Sequence, residues 1–237
     1  MATEQQIKSF ISEIAPYAQE AYHTLGKVLP SVCIGMACVE SAYGTSKIMR
    51  EHHAFFGQKV GSGKTATKYW QGAFFTSKTK EEYTIGTHTV ITSAFRAYPD
   101  MRMSVFNYYE LLNTNLYKRV LAGVPYYEQM EQIKACGYMT SSTEVNSVIK
   151  LIQKYDLTQY DDGTVQPQPD VRPTLKLGDI NEYVLAWQYY LNLCGYNLKP
   201  DGIFGDNTLK AVKDYQAAHG LKADGIIGPK TWDSVGK

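Results

Sequence analysis

Apolar residues recur at helical spacing from the start of the chain. Ile7, Phe10/Ile11, Ile14, Ala18 and Ala21/Tyr22 form one face of an amphipathic helix over residues 5–28. The next run, Leu29 to Gly44, is almost wholly apolar and carries a single charge, Glu40. Pro30 suits the first turn of a helix, where its missing N–H is not needed, and Gly44 suits a position past the end. Cys33, Met36/Ala37 and Glu40 fall on one stripe, so the spacing sets the acid in line with core residues. Between Tyr69 and Tyr98 the period changes to two. Thr, Tyr, Phe and Val around Gly86 predict a β-hairpin in which Phe75, Ser77, Thr79, Glu81, Tyr83 and Ile85 share one face. Lys78, Lys80, Glu82 and Thr84 share the other, so Glu81 points toward the less solvated side unless a bulge reverses the order.

From Asp161 to Pro173 the apolar pattern stops and three prolines and a glycine take over. This stretch reads as an extended linker that separates two folded units. Beyond it, Val184, Trp187/Gln188 and Leu191 predict one helix, and Leu209, Val212 and Tyr215 another. Asp201-Gly202-Ile203-Phe204-Gly205 is echoed by Asp224-Gly225-Ile226-Ile227-Gly228, each copy a glycine turn leading into a helix start. Three short helices joined by such turns make a module of about 60 residues, small but sufficient to fold alone. The division predicted is thus 1–160, a linker at 161–173, and 174–237.

The chain has 237 residues, 44% of them hydrophobic, and a formal charge of +1. That is enough apolar material for a core and too little basic excess for an electrostatically driven nucleic-acid binder. No run of about 18 apolar residues is present to span a membrane. The N-terminal residues lack a secretory signal, so the expectation is synthesis in a bacterial host cytoplasm, with holin-type release for action on an outer target. Cys33, Cys38, Cys136 and Cys194 lack metal-ligand spacing and read as reduced, buried thiols. The histidines likewise show no ligand spacing. Neither a metal nor another cofactor is expected.

The C-terminal pattern resembles the type 1 peptidoglycan-binding domain. It runs from Leu177-Gly178-Asp179 through Gln188, Gly195-Tyr196, both Asp-Gly turns and Tyr215-Gln216 to Thr231-Trp232, and it implies a wall-anchoring role. The first part resembles glycoside hydrolase family 73, the endo-β-N-acetylglucosaminidases. The resemblance rests on Leu29-Pro30-Ser31, Glu40-Ser41-Ala42-Tyr43-Gly44, Phe56-Gly57-Gln58-Lys59, Trp70-x-Gly72 and Lys78-Thr79-Lys80-Glu81. It continues through Phe95-Arg96-Ala97-Tyr98, Ser104 to Tyr108, and Gly137-Tyr138-Met139-Thr140. It implies an α+β, mainly α fold: a lysozyme-like helical catalytic domain with a β-hairpin, plus a small three-helix wall-binding domain. Two departures are visible. His52-His53-Ala54 stands where many members have Asn before the Phe-Gly turn, and the motif aromatic is Tyr43 rather than Trp.

By position in that resemblance Glu40 matches the general acid, Glu81 the hairpin carboxylate, and Tyr108 a cleft tyrosine. The residue pattern alone leaves Glu40 open to two readings, a buried acid paired with a distant Arg or Lys, or an acid kept protonated by desolvation and by the C-terminal end of its helix. The second is what glycosidic cleavage requires, because the departing oxygen must receive a proton. Tyr43, Tyr69, Trp70, Tyr108 and Phe56 are the substrate-binding candidates, offering flat faces to sugar rings. The expected activity is hydrolysis of the β-1,4 bond between N-acetylglucosamine and N-acetylmuramic acid, in a phage endolysin. A lytic transglycosylase or muramidase, or a non-catalytic wall-binding or phage structural protein, are the alternatives.

Overall fold

A computed structural model describes residues 2–61, 66–84, 87–139, 142–161 and 172–235. Its elements in chain order are α1 (Glu4–Leu25), α2 (Pro30–Glu40), α3 (Lys47–Glu51), β1 (Phe74–Thr84), β2 (Thr87–Arg96), α4 (Met101–Leu112), α5 (Tyr126–Ala135), α6 (Ser142–Lys154), α7 (Glu182–Leu193), α8 (Asp206–Ala218) and α9 (Pro229–Trp232). Short 3₁₀ turns at Asn115–Tyr117 and Leu157–Tyr160 complete the described set. The mainly helical α+β class expected from the sequence is what forms. No described helix is long and apolar enough to cross a membrane.

Contacts group the chain into two compact units, Met1–Glu51 with Met101–Asp170, and His52–Asp100 with Val171–Lys237. In the first, α2 is the central helix. It is buried from Pro30 to Cys38, which explains why its sequence is apolar on every side rather than amphipathic. α1 covers it with Ile7, Phe10, Ile11, Ile14 and Ala18, the stripe predicted from the 3.6 period. α6 packs so closely that a methyl group at Gly35 would lie 2.9 Å from Val148 Cγ1 and 3.3 Å from Ile152 Cγ1. α1 is tied to α4 by a buried ion pair, with Arg102 Nη2 2.6 Å from Glu20 Oε1 and Nε 3.0 Å from Oε2. The Arg102 guanidinium also lies over the Phe106 ring, 4.3 Å from its centroid.

The N-terminus of α2 is closed from far along the chain. Asp161 accepts from the Ser31 N–H and the Ser31 hydroxyl, both at 2.8 Å, supplying the cap that Leu29 at the N-cap position does not. Asp161, read above as the first linker residue, is therefore part of the fold. At the other end of that stretch, Arg172 pairs with Asp233 at 3.1 Å, and the Pro173 carbonyl accepts from Trp232 Nε1 at 2.9 Å. The linker residues 162–171 lie outside the described residues.

In the second unit β1 and β2 pair antiparallel, from Phe74 opposite Arg96 to Glu82 opposite His88, with a register shift between Glu82 and Thr84. Phe75 is buried while Phe74, Thr76 and Lys78 are exposed, so the predicted alternation holds along the described part of β1. The predicted turn at Gly86 lies outside the described residues. Helix α7 contacts the segment around the hairpin: the Tyr189 ring stands 6.2 Å from Phe74, Tyr183 donates its hydroxyl to Asp100, and Leu193 sits over Gly72.

The two Asp-Gly turns are built alike around a buried glutamine. Gln188 of α7 donates to Asp201 Oδ1 (3.1 Å), the Ile203 carbonyl (3.0 Å) and Thr208 Oγ1 (3.1 Å). Its own oxygen accepts from the Asp201 and Gly202 N–H groups. Gln216 of α8 repeats the arrangement with Asp224 (3.2 Å), Ile226 (2.9 Å) and Thr231 (3.2 Å), and accepts from Gly225. Replacing either hub by Ala leaves buried backbone groups without partners. Gln188→Ala is expected to destabilise the module by about 2 kcal/mol, read as an earlier thermal transition in the fluorescence of Trp187 and Trp232.

Candidate active site

Glu40 closes α2, and the chain leaves it in an unusual way. Ala42 and Tyr43 both adopt left-handed conformations (φ 51° and 58°), followed by Gly44 at φ 67°. Side chains with a Cβ rarely occupy this region, and pairs of them mark sites where the surroundings dictate the backbone. Those surroundings are visible. The Ser41 hydroxyl donates to the Ala37 carbonyl (2.6 Å) and accepts from the Gly44 N–H (2.8 Å). The Tyr43 N–H reaches back to the Cys38 carbonyl at 2.6 Å. Arg50 Nε donates to the Gly44 carbonyl at 2.6 Å, while its guanidinium pairs with Glu13 at 3.0 Å. Gly44 is needed because a Cβ there would fall 2.3 Å from the Phe10 ring. The helix thus ends at Glu40, four residues before the glycine that the sequence offers as its stop.

Burial pushes the Glu40 carboxyl up to about 7, with the negative charge of Glu144 as the second cause. The carboxylic acid form therefore persists toward neutral pH. Tyr108 of α4 is fully buried and held well above the ordinary phenol range by that burial, with Cys33 and Glu40 adding to it. Its ring meets Tyr138 edge-on at 5.6 Å, and Tyr138 in turn leans on Tyr117 at 6.1 Å. Glu40, Tyr108, Tyr138 and Glu144 thus belong to one neighbourhood of the first unit. Sequence reasoning singled out only the first two. Tyr138 stood inside a quoted motif, but Glu144 had no local signal at all.

Tyr43 is half-buried and keeps part of its surface open. The other aromatic candidates are buried. Phe56 is 3%, Tyr69 4%, Trp70 1% and Tyr108 0% exposed, so each packs into the fold. In the second unit, Trp70 Nε1 donates to the Ala73 carbonyl at 2.7 Å, and the Arg96 guanidinium covers its ring 4.3 Å from the centroid. The histidines before the Phe-Gly turn also take structural work. The His52 carbonyl accepts from the Tyr98 N–H at 2.9 Å, His53 Nδ1 lies 3.2 Å from the Tyr98 carbonyl, and His52 stacks on Phe75 at 4.2 Å.

Glu81 belongs to the second unit, where its backbone pairs with Thr89. The register runs without a shift through Glu81 and Glu82. The side chains of both acids lie outside the described residues. Of the four free thiols, Cys33 and Cys38 are buried as expected, whereas Cys194 is exposed at the end of α7. Among the described residues no cluster of three His, Cys, Asp or Glu could hold a metal ion. In the C-terminal module two clefts open beside the two turns, one of about 440 Å³ next to Lys222, Pro229 and Lys230 and one of about 370 Å³ next to Lys199, Asp206 and Asn207.

Comparison with known proteins agrees with this anatomy. The profile of the mannosyl-glycoprotein endo-beta-N-acetylglucosaminidase family matches residues 15–157, and that of a putative peptidoglycan binding domain matches residues 181–235. Exo-glucosaminidase LytG of Bacillus subtilis (strain 168) is 30% identical over 187 residues, covering 75% of this chain. The chain spans only 58% of that relative's length. Among solved structures, the catalytic domain of the autolysin Auto from Listeria monocytogenes superimposes with a TM-score of 0.56 at 26% identity, over 68% of this chain and 90% of that one. An N-acetylmuramoyl-L-alanine amidase from Staphylococcus aureus shares the fold (TM-score 0.57, 20% identity, 91% of this chain and 65% of that one). The protein belongs to the mannosyl-glycoprotein endo-beta-N-acetylglucosaminidase family, glycoside hydrolase family 73, and carries a C-terminal peptidoglycan-binding domain.

Proposed function

We propose that this protein hydrolyses peptidoglycan at the β-1,4 bond between N-acetylglucosamine and N-acetylmuramic acid. In this reading residues 1–160 carry out the chemistry, residues 161–173 connect, and residues 174–237 hold the enzyme on the wall. The observation that carries it is Glu40, a carboxyl at the end of a buried helix pushed up to about 7 by its surroundings. In the proposed reaction the Glu40 carboxyl gives its proton to the glycosidic oxygen as the bond to C1 breaks. Positive charge then builds on the ring, and water adds at C1. We assign Glu81 to activating that water or to stabilising that charge. Tyr43, with its ring partly open, is the aromatic best placed to meet sugar.

The test is chemical analysis of the new sugar ends after digestion of purified wall and borohydride reduction. N-acetylglucosaminitol supports the proposed bond. Reduced muramic acid, or an anhydro-muramic end, replaces it with muramidase or transglycosylase chemistry. Free stem peptides without new sugar ends would signal the amidase chemistry named for one fold neighbour. A second reading concerns the mode of attack, since LytG is named an exo-enzyme. Glycan strands of intermediate length early in digestion indicate internal cleavage, whereas immediate release of terminal units indicates action from the chain end.

A further inference from the structure

Glu144 is a carboxylate that the chemistry above does not use. It stands exposed in the first turn of α6, and α6 runs antiparallel to α2. Two contacts fix that direction. Gly35, midway along α2, abuts Val148 and Ile152 of α6, and Ser31, at the start of α2, bonds to Asp161, which follows α6. Moving forward on α2 therefore means moving backward on α6. Five residues beyond Gly35 comes Glu40, and one turn before Val148 comes Glu144, so the two acids share one end of the helix pair.

Several charged groups on the helices around α2 have partners of their own. On α1, Glu13 pairs with Arg50 and Glu20 with Arg102. On α5, Lys134 pairs with Glu131 at 3.8 Å, and Asp161 sits at the opposite end of α2. α4 contributes Tyr108, which burial keeps neutral. The charge of Glu144 raises the affinity of Glu40 for a proton.

We propose that Glu144 is a positioning residue for the proton donor: its carboxylate opposes a second charge at Glu40 and so keeps Glu40 loaded with the proton it delivers. The inference rests on Glu40 being the acid. Glu144 itself gains and loses nothing in the reaction; the proton passes from Glu40 to the leaving oxygen and is regained from water. Because Glu144 faces solvent, its influence is screened by salt, unlike the effect of burial.

The test compares pH-rate profiles on soluble, uncrosslinked glycan fragments for the full chain and its Glu144→Gln, Glu144→Asp and Glu40→Gln variants. In Glu144→Gln the alkaline limb should move about half a pH unit lower, a loss of about threefold in kcat above neutrality, with the acidic plateau kept within about twofold. Glu144→Asp should restore the limb. Added salt should shift the wild-type limb toward that of Glu144→Gln and leave the variant's in place. An unmoved limb in Glu144→Gln, with Glu40→Gln inactive, overturns the role given to Glu144 and spares Glu40. Collapse of the plateau in Glu144→Gln also overturns it, since the residue would then act on substrate directly. Wild-type turnover in Glu40→Gln overturns instead the reading of Glu40 as the acid.

Discussion

Glu40→Gln is expected to lose about 10³-fold or more in kcat on wall or soluble fragments, with KM little changed. The amide keeps the size and polarity of the acid but has no proton to give. The wild-type enzyme should lose activity as pH rises past about 7, where burial and Glu144 place the ionisation of Glu40, and the variant's residual rate should lack that limb. The same substitution should strengthen the fold. Glu40 is the case of a carboxyl whose folded value lies above its unfolded one. The unfolded chain therefore ionises first, and stability falls as pH climbs from about 4.5 to 7 and then levels off. Glu40→Gln removes that penalty, so its gain should be absent below about pH 4 and reach about 1–3 kcal/mol at pH 8. Thermal unfolding of both proteins at the two pH values checks this. A catalytically dead variant that is no more stable at pH 8 would mean that Glu40 is not held against its own ionisation.

Arg102→Met is expected to cost about 3–5 kcal/mol, the largest loss of stability foreseen from one side chain. Arg102 and Glu20 are nearly sealed from water, with side chains 7% and 10% exposed, and three contacts of 2.6–3.2 Å join them. Removing the guanidinium strands a carboxylate between α1 and α4. Glu20→Leu combined with Arg102→Met should recover most of the loss, because two apolar side chains need no partner there. Denaturant unfolding of the two single variants and the double variant gives the coupling energy directly. A double variant as unstable as the singles would show that the residues matter for packing shape and not for charge.

The helix carrying Glu40, the hairpin and the C-terminal turns were legible in the sequence because each is written in local terms: Pro30 at a helix start, alternation after Phe74, a repeated Asp-Gly turn. The burial of Trp70, Tyr69 and Phe56 was not. An aromatic residue looks the same in a sequence whether its ring meets sugar or, as with Trp70, an arginine from the neighbouring strand. The end of α2 was placed toward Gly44 because local rules accept a glycine just past a helix end. Here a serine hydroxyl and an arginine from six residues onward hold Ala42 and Tyr43 in conformations they would not choose. Glu144 was invisible for a plainer reason: it lies 104 residues from Glu40, and only the antiparallel packing of α2 against α6 brings their ends together.

The Asp161 cap bears on how the enzyme would survive proteolysis. A protease cutting after residue 161 would leave both ends of the central helix α2 closed. One cutting a single bond earlier would remove the carboxylate that Ser31 depends on. Cleavage in the connecting stretch therefore keeps or removes the cap on the helix that carries Glu40, and one peptide bond separates the two fates.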